Sequence, residues 1–463
     1  MRITEAGRTV LTPVLLLSVA LPLAACSGSE SGGGDAASVG TDEYVVERSE
    51  ADGVQTVRTV SGSRWGGQPR LVEELSIGEE IGEDAYLFGS ISSAWATDDR
   101  IYVVDSQIPA VRAFDHQGDF LFDVGRTGQG PGEYSRPIGI AVKDGGQVLI
   151  TDLQGARLSL FDTEGNGVDD WSLGSPQAAL GLQLTYDGEI YTRMLELPEE
   201  IGAGVMGDLR EGMQPLGPDG EMGEPIFPPE IAYDPPTVDI DMRGNSLSMA
   251  ILPFTPSYQW AFTPGGEMIA GVGNEYRFLI RAADGRRTAV EKVWDAVAVN
   301  PEERGFRAEL AASQFRRMSP DFSIPESDVP GSKPAFTRLS PDRSGRVWVT
   351  RQGPSLPDAA CTEASGGGGG MAIMLGSSGA VSVMPSGTVI GGGGGEVEDE
   401  RECWANTYMF DVFELATGEF LGTVPAPEQG FTRPLFIEGD TVLAAVTDEM
   451  GTVRLKKYRL VID

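Results

Sequence analysis

The chain has 463 residues, with 69 Asp and Glu against 35 Lys and Arg, a formal net charge of −34 and one histidine. A surface this acidic repels phosphate backbones and anionic headgroups, which argues against nucleic acid as a partner. The length exceeds a single ordinary domain, although a repeat architecture can use it as one unit.

The N-terminus reads as an address. Arg2 and Arg8 precede a mostly apolar run, Val10 to Leu23, shorter than the ~20 residues a bilayer-spanning helix needs. A basic start, a short apolar run and small residues before a cysteine are the layout of a secretory signal peptide. The ending Leu23-Ala24-Ala25-Cys26 resembles the bacterial lipobox, which implies removal of residues 1–25 and lipidation of Cys26. The alternative is an ordinary cut near Ala25 that leaves Cys26 a plain thiol. Ser27 stands where lipoproteins kept in an inner membrane often carry Asp. The resemblance therefore implies the outer membrane if the organism has one, and otherwise the outer face of the cell membrane. Residues 26–43, rich in Gly and Ser, are expected to form a lipidated flexible tether, and 44–463 one folded domain.

The strongest pattern is a repeat. Ile91–Gly118 and Ile138–Gly165 align at a constant shift of 47 residues: Asp105 falls on Asp152, Phe114-Asp115 on Phe161-Asp162 and Gly118 on Gly165. Within each copy, short apolar or alternating strands are separated by turn residues, a spacing no helix can hold. Looser copies start at Asp187-Gly188, Gly265-Gly266, Ser344-Gly345 and Gly439-Asp440, giving six units. A fixed period of this size built from strands points to propeller blades. The last unit stops after its third strand, while Arg70–Gly78 looks like a fourth strand with no preceding three. The expected fold is all-β, a six-bladed β-propeller closed by an N-terminal strand pairing with the C-terminal blade. Closure of that kind removes two exposed sheet edges.

The stretch Gly125-Arg126-Thr127-Gly128-Gln129-Gly130-Pro131-Gly132-Glu133-Tyr134 resembles the inter-blade link of NHL-repeat-type six-bladed propellers. So do the strand endings Val104-Asp105 and Thr151-Asp152 followed by Phe-Asp-x-x-Gly. The resemblance is specific from Ile77 to Trp171 and loose elsewhere. It implies the fold and leaves function open.

Two insertions interrupt the pattern, about 286–330 and 352–406. In the first, Asn300-Pro301-Glu302-Glu303 is a helix start with a cap and box. A helix to Met318 is expected, with Phe306, Leu310 and Phe315 on one stripe, packed on the rim of blade four. The second carries two five-glycine runs, 366–370 and 391–395, with Cys361 and Cys403 near its ends. An even pair in an exported protein is usually oxidised, and a Cys361–Cys403 disulfide is expected. In the chain-entropy account, closing a loop of about 42 residues stabilises by roughly 4 kcal/mol. Cys361→Ser should therefore lower the melting temperature under oxidising conditions. Equal melting, or two labelled free thiols in the parent, would refute the bridge.

Catalytic chemistry is sparse. His116 lies in an outer turn, away from the centre, which excludes Ser-His-Asp hydrolysis in a central pocket and zinc or quinone sites built on several histidines. It is expected to be a solvent-facing turn residue. Asp105 and Asp152 end strands at the same blade position and are expected to bond turn amides. Glu396–Glu402 reads as a solvated loop. Gly125–Gly132 lacks the following helix and lysine of a phosphate loop. No catalytic residue, metal ligand or cofactor is assigned. The favoured function is a lipid-anchored, non-catalytic binding or scaffold module at the cell envelope. It would be a monomer that holds a protein, peptide or glycan ligand and meets the membrane only through its lipid. The alternative is a calcium-dependent hydrolase or lactonase with carboxylates converging on the propeller channel.

Overall fold

A computed structural model of the chain describes residues 43–196, 210–241, 246–249, 252–316, 319–358, 372–375, 381–384, 403–448 and 450–462. The two strong repeats fold as four-stranded antiparallel sheets. Blade one orders Ile91–Ala96, Ile101–Asp105, Ala110–Phe114 and Phe120–Asp123 from first strand to last. Blade two orders Pro137–Val142, Val148–Asp152, Arg157–Phe161 and Gly167–Ser172 in the same way. Every residue of both second strands is buried, because a radial sheet is covered on each face by a neighbour. That double cover explains their continuous apolar runs.

Blade three has three regular strands, Gln183–Leu184, Ile190–Glu196 and Arg210–Leu216, with single bridges to Met222 and Ile226 along its outer edge. Blade four runs Tyr258–Phe262, Met268–Val272, Arg277–Arg281 and Arg287–Lys292, and blade five Arg338–Pro341, Arg346–Gln352, Tyr408–Glu414 and Phe420–Pro425. Blade six combines Phe436–Glu438, Thr441–Thr447 and Val453–Val461 with Arg70–Ile77, which pairs antiparallel from Arg70 opposite Val461 to Ile77 opposite Leu455. The ring is thus shut by an N-terminal strand pairing with the last strand of the domain.

Six apolar clusters fill the six clefts. Tyr102 and Phe161 lie between blades one and two, and Leu158 and Leu216 between two and three. Met213 and Phe262 fill the next cleft, Phe278 and Phe413 the fourth, Trp348 and Tyr458 the fifth, and Phe114 and Leu455 the last. The chain is a six-bladed β-propeller. Glycine is required where the outer turn of one blade seats on the preceding blade. Gly165 has φ +84°, and a Cβ there would lie 2.9 Å from the Asp123 carbonyl oxygen. Gly118, at φ +90°, meets Leu75 of blade six in the same way.

Three features depart from the repeat pattern. Residues 45–61, to which the sequence assigned no element, form a hairpin, Val45–Ala51 with Val54–Ser61. Its second strand runs parallel to Arg287–Lys292 and extends blade four to six strands. Its turn, Asp52 (φ 51°) and Gly53 (φ 69°), is the Asp-Gly type that matches strand twist. From there the chain crosses blade five, where Arg64 pairs with Glu414 at 2.8 Å and the Trp65 amide donates to the Leu421 carbonyl at 2.9 Å, before entering blade six. Residues 45–77 therefore form a belt over three blades. Second, because Arg287–Lys292 is the outer strand of blade four, the first insertion begins after it rather than near 286.

Third, the helix is Pro301–Ser313 (α1) and ends short of Met318, which lies outside the described residues. Asn300 caps it, its Oδ1 accepting from the Glu302 amide at 2.8 Å. Glu303 does not close the box, because its carboxylate is drawn into a buried pair described below. The buried positions are Glu303, Gly305, Arg307, Ala308 and Ala312 rather than the expected stripe of Phe306, Leu310 and Phe315. The helix packs away from the blade-four rim, on the insertions themselves.

Candidate functional site

In an antiparallel blade the second strand ends, and the first and third begin, at the same end of the ring. All the long insertions leave from that end. Two are inter-blade links, 227–257 and 293–337, and the third, 353–407, joins the second and third strands of blade five. The two links meet in one satellite core. Ile240 and Leu252 of the first link pack with Ala308, Ala312, Phe322, Ile324 and Val329 of the second.

A buried polar foot fastens this cap to the third insertion. Lys333, 1% exposed, donates to the Gly353 carbonyl at 2.9 Å and to Ser355 Oγ at 2.6 Å. Ser355 in turn donates to Glu303 Oε1 at 2.5 Å. Arg307 donates to the Trp404 carbonyl at 2.7 Å and to Asn406 Oδ1 at 3.1 Å. Burial pushes the Lys333 ammonium down in pKa, against the pull of Glu303. With its protons committed and no solvent reaching it, this lysine is a fastening rather than a nucleophile. Leu356–Asp358 pairs with Cys403–Ala405 at the root of the third insertion.

The channel opens beneath the cap. Arg338 begins the first strand of blade five, and Arg433 lies just before the first strand of blade six. Both are exposed to solvent, yet protein crowds them. Burial holds Arg338 below its ordinary pKa. Burial, with the like charge of Arg338, lowers Arg433 to about 10. Access to water together with close walls is what the free edge of an innermost strand provides. Among the described residues neither guanidinium has a hydrogen-bond or ion-pair partner. Directly across the ladder from Arg338 stands Thr350, 3% exposed, whose hydroxyl also lacks a partner. The Tyr408 side chain lies near enough to act electrostatically on Arg338.

The opposite end is crossed by Arg343 of blade five. It donates to the Leu184 carbonyl of blade three at 3.1 Å, stacks over Trp95 of blade one at 5.0 Å and Tyr186 at 5.7 Å, and pairs with Glu438 at 3.4 Å. The channel is therefore narrowed at one end by a stacked, paired arginine and lined near the other by two unpaired ones. A cleft of about 350 Å³ between blades two and three, lined by Ser172, Arg193 and Met222, competes poorly as a site, because Arg193 is already held by Glu211.

The residues singled out from sequence fall elsewhere. Asp105 accepts from the Gly89, Ser90, Gln107 and Ile108 amides at 2.6, 3.1, 2.9 and 2.9 Å. Asp152 accepts from those of Ser135, Arg136 and Gln154 at 3.0, 2.8 and 3.2 Å. Their oxygens fasten inter-blade links. In the Gly125–Gly132 loop the carboxylate of Glu133 takes the Gly130 amide at 2.8 Å and so fills the place a phosphate would need. His116 is half-buried rather than solvent-facing, with Nε2 2.9 Å from the Thr97 carbonyl oxygen. Among the described residues no three or more His, Cys, Asp or Glu side chains gather as a metal site. Cys26, Cys361 and Glu396–Glu402 lie outside the described residues.

The profile of a family described as a six-bladed β-propeller (DUF5128) matches residues 82–169, which contain blade one and the first three strands of blade two. Sequence and structure agree on a six-bladed propeller. A search of curated proteins returned no match. Among solved structures, a candidate exported protein from Bacteroides fragilis is similar at 10% identity with TM-score 0.43, covering 85% of this chain and 95% of that one. A member of the DUF4221 family from Bacteroides vulgatus gives 10% identity and TM-score 0.48 over 85% and 99%. Virginiamycin B lyase from Staphylococcus aureus gives 10% and 0.34 over 85% and 100%.

Proposed function

We propose that this chain is an exported, lipid-anchored propeller that acts as a non-catalytic binding module at the cell envelope, with its ligand held where the channel opens under the cap. The observation that carries this reading is the convergence of three insertions on the end of the ring where Arg338 and Arg433 face solvent unpaired. Two cations near the channel mouth also oppose the calcium-dependent alternative, because a divalent cation is repelled where guanidinium groups lack carboxylate partners. The anchor rests on the Leu23–Cys26 ending.

Expressed with its leader in a bacterium, the protein should incorporate labelled palmitate and sediment with membranes. Cys26→Ala should lose the label and move to the soluble fraction. Purified protein should show no calcium-stimulated, chelator-sensitive turnover of ester or lactone substrates. Such turnover would overturn the binding reading, and palmitate labelling of the Cys26→Ala variant would overturn the anchor.

A further inference from the structure

We propose that Arg338 and Arg433 form an oxyanion site in the channel, which binds a small ligand or a terminal group bearing a carboxylate, phosphate or sulfate. The proposal rests on the channel being the binding site and names the chemistry of what enters it. Its basis is a contrast between these two residues and the other basic side chains of blades five and six. In a chain with about twice as many carboxylates as cations, basic side chains readily find partners. On the same two blades Arg346 meets Asp342 at 2.6 Å, Arg351 meets Asp411 at 3.4 Å and Lys456 meets Glu428 at 2.7 Å. Arg338 and Arg433 have no such partner among the described residues, and they lead into the first strands of neighbouring blades at the same end of the ring, where their like charges act on one another.

Two like charges left together in a partly desolvated wall are unfavourable until an anion neutralises them. The guanidinium fork presents parallel N–H donors that match the spacing of carboxylate, phosphate and sulfate oxygens. The unpartnered Thr350 hydroxyl on the same face of blade five offers a further donor, and the Tyr408 phenol lies nearby. The stacked stopper of Arg343, Trp95 and Tyr186 closes off much of the far end, so an anion would enter from the capped side. The strong negative charge of the rest of the surface would repel anions elsewhere and leave this the favourable place for one.

The test is calorimetric titration of the whole mature protein, at low ionic strength, with inorganic phosphate, sulfate and malonate in turn. One anion should bind per molecule, and the tightest of the three identifies the ligand group. Arg338→Gln and Arg433→Gln should each weaken binding at least about tenfold, the loss expected for removing a charged hydrogen-bond donor. Phosphate or malonate should raise the melting temperature of the parent and leave that of the Arg338→Gln/Arg433→Gln double variant unmoved. In anion-free buffer the double variant should melt no lower than the parent, because repulsion has been relieved, and this separates loss of the site from loss of the fold. Absence of saturable anion binding by the parent, or equal affinity in the double variant, would overturn the site. If a macromolecular ligand of the capped face bound parent and double variant alike, the oxyanion site would fall and the binding-module reading would stand. Anion binding together with chelator-sensitive turnover would reverse that outcome.

Discussion

Ile77→Asp is expected to unfold the domain or leave it insoluble, whereas Ile77→Val should be close to parent. Ile77 is 2% exposed and packs with Leu443, Leu455 and Phe114 in the cleft between blades six and one. It ends the strand that shuts the ring. Removing the apolar side chain forfeits about 2–3 kcal/mol of burial, and an ionised carboxylate with no partner adds several more. The sum is on the order of 5 kcal/mol or above, a large share of the stability of an ordinary domain. The Val variant loses one methylene and should cost about 1 kcal/mol. Urea denaturation followed by tryptophan fluorescence reads both. An Asp variant within about 1 kcal/mol of the parent would mean that the closing strand contributes little, against the pairing with Val453–Val461.

The second large effect is expected at Asp411, on the third strand of blade five and 0% exposed. Its carboxylate receives Lys292 Nζ at 3.1 Å, Tyr276 OH at 2.6 Å and Thr423 Oγ1 at 2.5 Å, with Arg351 at 3.4 Å. Burial alone would raise its pKa. Lys292 and Arg351, with the hydrogen bonds from Thr423 and Tyr276, outweigh burial and hold it below the ordinary carboxylate value. Asp411→Ala leaves two cations in a buried site without their counter-charge and should cost about 3–5 kcal/mol at neutral pH. The pH dependence follows from the direction of the shift. A depressed folded-state pKa contributes stability that is complete above the unfolded value, near 4, and is lost as pH falls through the folded value. The gap between parent and Asp411→Asn should therefore be widest near neutrality and shrink on acidification below about pH 4. A gap that widens on acidification would show that the carboxylate is not held ionised.

The architecture was legible because its determinants are local and periodic. Val103-Val104-Asp105 and Ile150-Thr151-Asp152 repeat at a fixed shift, and the terminal Asp of each is committed to amides of its own link, so sequence spacing carries the information. The lone fourth strand at 70–78 was legible by subtraction, from a last unit that lacked one. The belt hairpin was legible in principle, since Asp52-Gly53 between alternating valines is a strong turn pattern, but its parallel docking on blade four is a long-range choice no local pattern encodes. The helix start was readable at Asn300. The fate of Glu303 was not, because Lys333 and Ser355 reach it from distant segments. The site itself was hidden for a related reason. Arg338 and Arg433 look like any surface arginines in sequence, and only the ring brings them to one wall, with no carboxylate partner among the described residues.

The strand that shuts the ring is synthesised among the first residues of the domain, and its partner among the last. Blade six cannot be completed until Val453–Val461 has been made, so the complete ring is unavailable to a shorter nascent chain. Contacts this distant in sequence also slow the search for the native state. The circle is therefore closed late, after the other five blades have been laid down.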